Sequence, residues 1–273
     1  MLNLEEIVHI IPLGIEFDRA VIPFQGREGF RPNRVYLLTT QSSGYAPPHM
    51  TEEHMEKAEK VKDFFKLLNI EVIVIDTKLI DLLDVMRKIS NLICKEKARG
   101  NNVYINMSSG GRLTSVGATL AGMFHDVKVY YVKADRYSTT ELEREEHGIT
   151  ICDNRVVDFL ENFKILMPNE LGLKVLVEIS KRNKMRTIDI IQFLSKSKVN
   201  GFNVDYFGIG RSEKTSIIMR LNRNVLHKLE NAGYINKIKL GRENEYELTG
   251  SGRYITSISG LISINPEEIC GED

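Results

Sequence analysis

The stretch that decides the fold is Asn102–Phe124, NVYINMSSGGRLTSVGATLAGMF. Val103, Tyr104 and Ile105 make Asn102–Asn106 a short strand. The chain then turns through Ser108, Ser109, Gly110 and Gly111 and enters a segment of helical spacing, Gly111–Phe124, whose small face is Gly117, Ala118, Ala121 and Gly122. A strand that turns directly into a helix is one arm of a βαβ unit. The pattern repeats outward. Ile7–Leu13, Arg34–Thr39, Glu71–Ile75 and Val127–Val132 read as further strands, nearly continuously apolar, as expected when both faces are covered. Glu52–Leu68 has Met55, Ala58, Val61, Phe64, Phe65 and Leu68 at helical intervals, and Leu79–Lys97 has Leu82, Leu83, Val85, Met86, Ile89 and Ile93. This alternation predicts an α/β fold over residues 1–153: a Rossmann-like, doubly wound parallel sheet, with a flavodoxin-like order as the competitor.

The texture changes near Pro168. Asn169–Arg182 has one apolar stripe, Leu171, Leu173, Val175, Leu176 and Ile179, and Thr187 reads as the N-cap of a helix Ile188–Ser195. An irregular stretch, Lys196–Arg211, precedes a long helix Ser212–Ala232 that ends at Gly233. Ile235–Leu240 and Glu245–Thr249 then form a hairpin. Three helices and a hairpin predict a C-terminal winged helix-turn-helix domain over 168–273, joined to the first domain by a linker helix over 154–167.

Composition sets outer bounds. The 273 residues carry 37 basic and 37 acidic side chains, so whole-chain charge selects no partner. No apolar run approaches the roughly 18 residues of a membrane span, and the acidic start enters a strand at once, unlike a signal peptide. Cys94, Cys152 and Cys270 are few and far apart, which fits a reducing compartment. A cytoplasmic protein without membrane contact is expected. The neutrality hides an asymmetry, because residues 181–242 hold 14 basic and 4 acidic side chains. A compact segment this positive fits a polyanion, since counterion release from phosphates supplies affinity for any sequence.

Two regions carry chemistry. In Asn106–Arg112 the two serines and two glycines let backbone N–H groups approach an anion at a helix start, and Arg112 can pair with a phosphate. The segment Pro12–Asp18 leaves the first strand, and the ends of strands one and four flank the switch point of a doubly wound sheet. Gly14 permits close approach there, Phe17 can stack a base and Asp18 or Arg19 can meet polar groups, while Thr39, Thr40 and Gln41 share the rim. The alternative for each is structural: a packing turn, a core phenylalanine, a solvated cap. In the second domain Leu221, Val225, Leu226 and Leu229 face inward, leaving Arg220, Arg223, Asn224 and Lys228 for a major groove, with Arg211 and Lys214 at the helix start. Lys237, Lys239 and Arg242 make a basic wing for the flanking backbone of double-stranded DNA. A winged helix that binds protein is the alternative.

Three look-alikes are set aside. Gly208–Thr215, GIGRSEKT, nearly spells a phosphate-binding Walker loop, but Glu213 stands where its last glycine belongs and would repel phosphate. His49 and His54 are spaced wrongly for a shared metal on a helix, and no distant histidine is positioned to pair with Ser108 or Ser109 as a catalytic dyad. No metal or cofactor is expected.

Asn106–Arg112 inside a Rossmann-like domain, with the opening VHIIPLGIEFDRAVIP and RVYLLTT and the ending LTGSGR at 248–253, resembles the CARF (CRISPR-associated Rossmann fold) winged-helix transcriptional regulators, in their archaeal branch. The resemblance implies a homodimer holding a cyclic oligoadenylate second messenger, cyclic tetra-adenylate foremost, across a two-fold axis. Carried onto this chain, the ligand contacts would be Gly14, Phe17 and Asp18 with Ser108, Ser109, Gly110, Gly111 and Arg112, to which Thr40 and Asn106 on the same rim are added. It also implies a CRISPR-associated, ligand-responsive regulator. A ring nuclease is the enzyme alternative, with Ser108 or Ser109 orienting the attacking 2′-hydroxyl and Arg112 or Lys133 stabilising phosphate charge. An adaptor with an inert pocket is the third reading.

Overall fold

A computed structural model describes residues 5–24, 30–41, 47–162, 167–241, 243–263 and 269–270. The chain divides into two units, residues 1–165 with 262–273, and residues 166–261. In the first, β1 (Ile7–Pro12) leads into a one-turn helix α1 (Asp18–Val21), then β2 (Arg34–Thr39), α2 (Pro48–Leu67), β3 (Glu71–Asp76), α3 (Leu82–Ala98), β4 (Asn102–Asn106), α4 (Arg112–Phe124) and β5 (Lys128–Val132). A small excursion follows, β6 (Arg136–Tyr137), α5 (Glu141–His147) and β7 (Thr150–Ile151), before β8 (Val157–Phe159). The five long strands are parallel in the order β3-β2-β1-β4-β5. That is the Rossmann order, with its switch point between β1 and β4, and it excludes the flavodoxin-like alternative.

Both faces of the sheet are covered. Ile11, Leu13, Val35, Leu37, Val74, Tyr130 and Val132 share one core with Ala20, Val21 and Phe24 and with Ala58, Val61 and Phe65 of α2. On the other face α3 and α4 pack closely, because α4 presents glycine there. A Cβ on Gly117 would lie 2.9 Å from Val85 Cγ1, and one on Gly122 would collide with Val129. The small face of Gly111–Phe124 is therefore helix packing and not a site. At the N-terminal strand ends the buried Glu96 carboxylate takes bonds from Tyr36 Oη (2.6 Å), Asn101 Nδ2 (2.7 Å) and Arg34 Nη1 (3.1 Å). Burial pushes its pKa up, but these donors outweigh burial and leave it below the usual carboxylate range.

Two expectations about the join are corrected. The described part of 154–167 is not a helix: Val157–Phe159 pairs antiparallel with β5 as an edge strand, Tyr130 facing Phe159. Residues 163–166 of the expected linker lie outside the described residues. The second unit also ends before the chain does, because β12 (Ile269–Cys270) pairs antiparallel with β3. Short edge strands contribute little local signal to a sequence, since their pairing partner makes them strands.

The second unit holds α6 (Glu170–Arg182), β9 (Lys184–Arg186), α7 (Thr187–Lys196), α8 (Arg211–Leu221), a π-helical turn (Asn222–Leu226), α9 (His227–Asn231), the hairpin β10 (Ile235–Leu240) and β11 (Glu243–Leu248), and α10 (Gly250–Ile258). Asn169 Oδ1 caps α6 through Gly172 N (2.9 Å) and Thr249 Oγ1 caps α10 through Gly252 N (3.0 Å). Its core joins Val175, Leu176 and Ile179 of α6, Ile190, Ile191 and Leu194 of α7, and Leu221, Val225, Leu226 and Leu229. This is the predicted winged helix with two additions, β9 pairing β11 and α10 after the wing.

One core group has a pH signature. His9 is fully buried on β1, with Nδ1 3.1 Å from Tyr130 Oη and its ring among Phe24, Phe30 and Tyr104. Burial lowers its pKa from 6.5 to about 3, although a backbone bond involving Phe30 opposes the shift. The folded-state value lies below the unfolded one, so the unfolded chain takes this proton first. The stability His9 permits is complete above about pH 6.5 and is lost as pH falls toward 3. Chemical denaturation between pH 7.5 and 5 is expected to show wild type losing about 2 kcal/mol more than His9→Gln, at about 1.4 kcal/mol per pH unit below 6.5. Parallel pH profiles would show that His9 is protonated in the fold.

Candidate functional site

At the C-terminal ends of β1 and β4 the two strands' continuations part, and backbone fills the crevice between them. Asn106, the last residue of β4, is fully buried; its Nδ2 donates to Arg19 O (2.8 Å) and its Oδ1 accepts from Ser108 N (2.8 Å) and Ser108 Oγ (2.6 Å). Ser108 Oγ in turn accepts from Val132 N at 3.1 Å. Ser109 Oγ donates to Pro12 O (2.8 Å), and Ser109 O accepts from Gly14 N (3.0 Å). Arg19 Nη1 braces the turn through Ser108 O (3.1 Å) while its guanidinium lies 5.2 Å from the Tyr131 ring centre. These bonds hold the loop rigid.

The rigid loop presents its outer residues. Gly111 is the N-cap of α4, and no side chain caps the helix. Its first N–H groups therefore keep their partial positive charge, with exposed Arg112 beside them. Gly14 and Gly110 close the floor. Among the described residues a Cβ on Gly14 would find only Ser109 O at 3.7 Å and His54 Nε2 at 3.9 Å, whereas one on Gly110 would lie 2.8 Å from Thr114 Cγ2. His54 comes from α2, and its buried Nδ1 has no hydrogen-bond partner among the described residues. Burial lowers its pKa, which keeps the ring neutral near pH 7 and able to donate or accept.

The sequence-derived residues separate into those that form this cradle and those that stand behind it. Gly14, Gly110, Gly111 and Arg112 line it, while Asn106, Ser108 and Ser109 are its internal scaffold. Phe17 is half-buried against the core and meets Phe64 edge-on at 6.3 Å, so its ring is a packing group. Asp18 is buried, its Oδ2 accepting from Cys152 N (3.0 Å) and its Oδ1 lying 3.1 Å from His147 Nδ1. Glu16 accepts from Thr150 N (3.1 Å) and Thr150 Oγ1 (2.8 Å), and burial raises its pKa. Together they staple the β6-α5-β7 excursion behind the cradle, where a Cβ on Gly148 (φ 91°) would lie 2.5 Å from Ile15 O. Thr40 Oγ1 donates to Thr77 O (2.9 Å), a buried link between β2 and β3. The sequence weighed His54 only as a metal ligand; its approach to Gly14 depends on where α2 packs, which no local pattern reveals. Among the described residues no group of three or more His, Cys, Asp or Glu side chains could hold a metal ion, and no helix is long and apolar enough to cross a membrane.

In the second unit Arg211, Thr215, Met219, Arg220, Arg223 and His227 line one open groove along α8, the π turn and α9. Asn224 and Lys228 do not share it; they border a separate hollow with Pro168, Asn169 and Tyr234. Arg220 has a second duty, as its Nη1 donates to Gly201 O at 2.6 Å. On the wing the period of two separates the charges. Lys237 and Lys239 stand opposite Tyr246 and Asn244, while Glu243, Glu245 and Glu247 occupy the alternate face. There Arg186 meets Glu243 (3.4 Å) and Lys184 meets Glu247 (3.1 Å). Arg242 lies outside the described residues.

Residues 172–260 match the DUF6293 C-terminal winged helix domain. That segment is a winged helix domain. Residues 7–137 match the family model described as HFX_2341_N:-like, N-terminal. The resemblance read from the sequence thus holds in its two-domain form, a Rossmann-like domain followed by a winged helix. No curated protein matches the chain. Among solved structures it is similar to Can2 from Sulfobacillus thermosulfidooxidans in complex with cyclic tetra-adenylate, at 12% identity and a TM-score of 0.39, covering 92% of this chain and 63% of that one. It is also similar to Enterococcus italicus Csm6 bound to cyclic hexa-2′-fluoro-hexa-dAMP, at 16% identity and a TM-score of 0.39, covering 84% and 56%. The chain therefore spans less than two thirds of either structure's length.

The two floor glycines of the cradle differ in a testable way. Gly14→Ala adds a methyl group at ordinary contact distance and is expected to leave the melting temperature within about 2 °C, near the noise of a surface substitution. Gly110→Ala forces Thr114 aside and is expected to cost about 1–3 kcal/mol. Equal losses in thermal denaturation would mean that the floor at Gly14 is as closely packed as at Gly110.

Proposed function

We propose that the protein is a ligand-responsive, DNA-binding transcriptional regulator. The observation that carries this reading is the segregation of charge on the winged helix. Arg182, Lys184 and Arg186 are engaged with Glu178, Glu247, Asp189 and Glu243. Arg211, Lys214, Arg220, Arg223, Lys228, Lys237 and Lys239 form no ion pair among the described residues. Unpaired cations along one helix and one face of a wing suit the phosphates on either side of a major groove. Arg220 and Arg223 serve the groove, and Arg211, Lys214, Lys237 and Lys239, with Arg242, serve the flanking backbone. Asn224 and Lys228 act at the margin of the contact.

The ligand is a cyclic oligoadenylate, with cyclic tetra-adenylate the first to test, and the protein acts in CRISPR-associated signalling in the cytoplasm. Its phosphates would meet the N–H groups that open α4 and the Arg112 guanidinium, with Gly14 allowing close approach and His54 facing a base or ribose. Two copies of the cradle about a two-fold axis would hold a ring of two-fold symmetry, so a homodimer is part of the proposal. Ligand at that axis changes the spacing of the two recognition helices, which is the coupling a regulator needs. Both serine hydroxyls donate inward, to Asn106 Oδ1 and Pro12 O, which favours holding the ring over cleaving it.

Gel-shift titration over several salt concentrations tests the DNA half. Affinity is expected to fall with a logarithmic slope near −0.9 for each phosphate neutralised, and Lys237→Ala with Lys239→Ala is expected to flatten it by roughly two units. Incubation with radiolabelled cyclic tetra-adenylate tests the ligand half. Retention of intact ligand, weakened about tenfold by Arg112→Ala as one charge-assisted contact is lost, supports the sensor. Cleavage of the ring would favour a nuclease, and indifference to both ligand and salt would favour an adaptor with a protein partner.

A further inference from the structure

The turn between the last two helices of a helix-turn-helix ordinarily needs only three or four residues. Here α7 ends at Lys196 and α8 begins at Arg211, so the whole of 197–210 lies between them. The sequence marks this stretch only as irregular. The structure shows an ordered loop built on its own anchors. Phe202 and Tyr206 are buried in the domain core. Ser195 Oγ donates to Val204 O at 2.8 Å, and Arg220 reaches back to Gly201 O at 2.6 Å. Asp205 organises the tip: its Oδ1 accepts from Phe207 N (3.1 Å) and its backbone carbonyl from Gly208 N (3.1 Å). A Cβ on Gly208 would lie 2.9 Å from that carboxylate, so the tip closes tightly around it.

At this fixed tip the Phe207 side chain is left in water, 67% exposed. Its ring stands nearly perpendicular to Tyr206 at 5.8 Å, and Lys214 lies 5.5 Å from the Tyr206 ring centre. A large apolar ring held out by a loop that has already lost its conformational freedom binds at little further entropic cost. Its surroundings carry a net positive charge. Phe207 leads into the helix whose first turn holds Arg211, Glu213 and Lys214, and Lys196 and Lys198 lie at the loop's start, so four cations stand against Glu213 and Asp205, the latter accepting from Phe207 N–H. Those charges select a polyanion over an ordinary apolar protein surface.

We propose that Phe207 is a DNA-contacting residue, whose ring packs on the apolar edge of the duplex, deoxyribose or a thymine methyl, where α8 enters the major groove. This rests on the DNA-binding reading above and adds to it a contact that is not electrostatic. The two terms separate by salt: removing a phosphate contact changes the slope, and removing an apolar one lowers affinity by the same factor at every salt concentration.

The test uses the full chain and an unlabelled duplex of mixed sequence. The protein has no tryptophan, so Phe207→Trp makes a single-tryptophan reporter at an exposed position where the fold is not at risk. Its emission is expected to be quenched along the same isotherm that the gel shift follows. Phe207→Ala is expected to bind about tenfold more weakly, with an unchanged salt slope, for the loss of one well-buried apolar contact. Wild type that shifts the duplex, with F207W emission unmoved at saturation and F207A binding as wild type, overturns this proposal alone. Wild type that fails to shift any duplex at low salt overturns the regulator reading, and this contact with it.

Discussion

The structure turns on the crossing of two backbones between β1 and β4. These strands lie side by side, yet the chain leaves them toward opposite halves of the sheet, and parallel strands cannot close that gap with ladder bonds. Ser109 closes it instead, receiving Gly14 N–H on its carbonyl and giving its hydroxyl to Pro12 O. With Asn106 holding Ser108 below, the turn into α4 is tied at both ends, and no side chain caps the helix that follows. Glu16 and Asp18 extend the same arrangement rearward to Thr150, His147 and Cys152. The loop after β1 and the excursion behind it are thus joined by direct hydrogen bonds.

The winged helix solves a different electrostatic problem. A segment with a large basic excess must fold without its charges repelling one another and still present them outward. The hairpin's alternation achieves this by placing three glutamates on one face, where Arg186 and Lys184 are neutralised, and leaving Lys237 and Lys239 on the other. Arg211, Arg220 and Arg223 meanwhile share one groove along α8 and the π turn. Charge counting along the chain registers the excess but cannot see this sorting, because it depends on register and pairing.

The sheet was legible because each strand is a compact apolar run and each helix has a continuous stripe; Arg34–Thr39 and Asn102–Asn106 are strands with the boundaries the residues predict. The loop Asn106–Arg112 was legible for the same local reason, since serine and glycine at a strand-to-helix turn have few other uses. What escaped is non-local. Val157–Phe159 and Ile269–Cys270 become strands through their partners, and His54 reaches Gly14 only because α2 packs over that end of the sheet. Phe17 and Asp18 turn toward Phe64 and Cys152, and spacing alone carries no information about which way a loop side chain turns.

The central claim is that a ligand in the first domain and DNA on the second are coupled, and coupling free energy is reciprocal. The most direct measurement is calorimetric titration of cyclic tetra-adenylate into the full chain, alone and saturated with the duplex it binds most tightly. A ligand affinity that changes on saturation, by the same factor by which the ligand changes duplex affinity, is the result this account requires. Tight binding of each partner with no change in either affinity would contradict it.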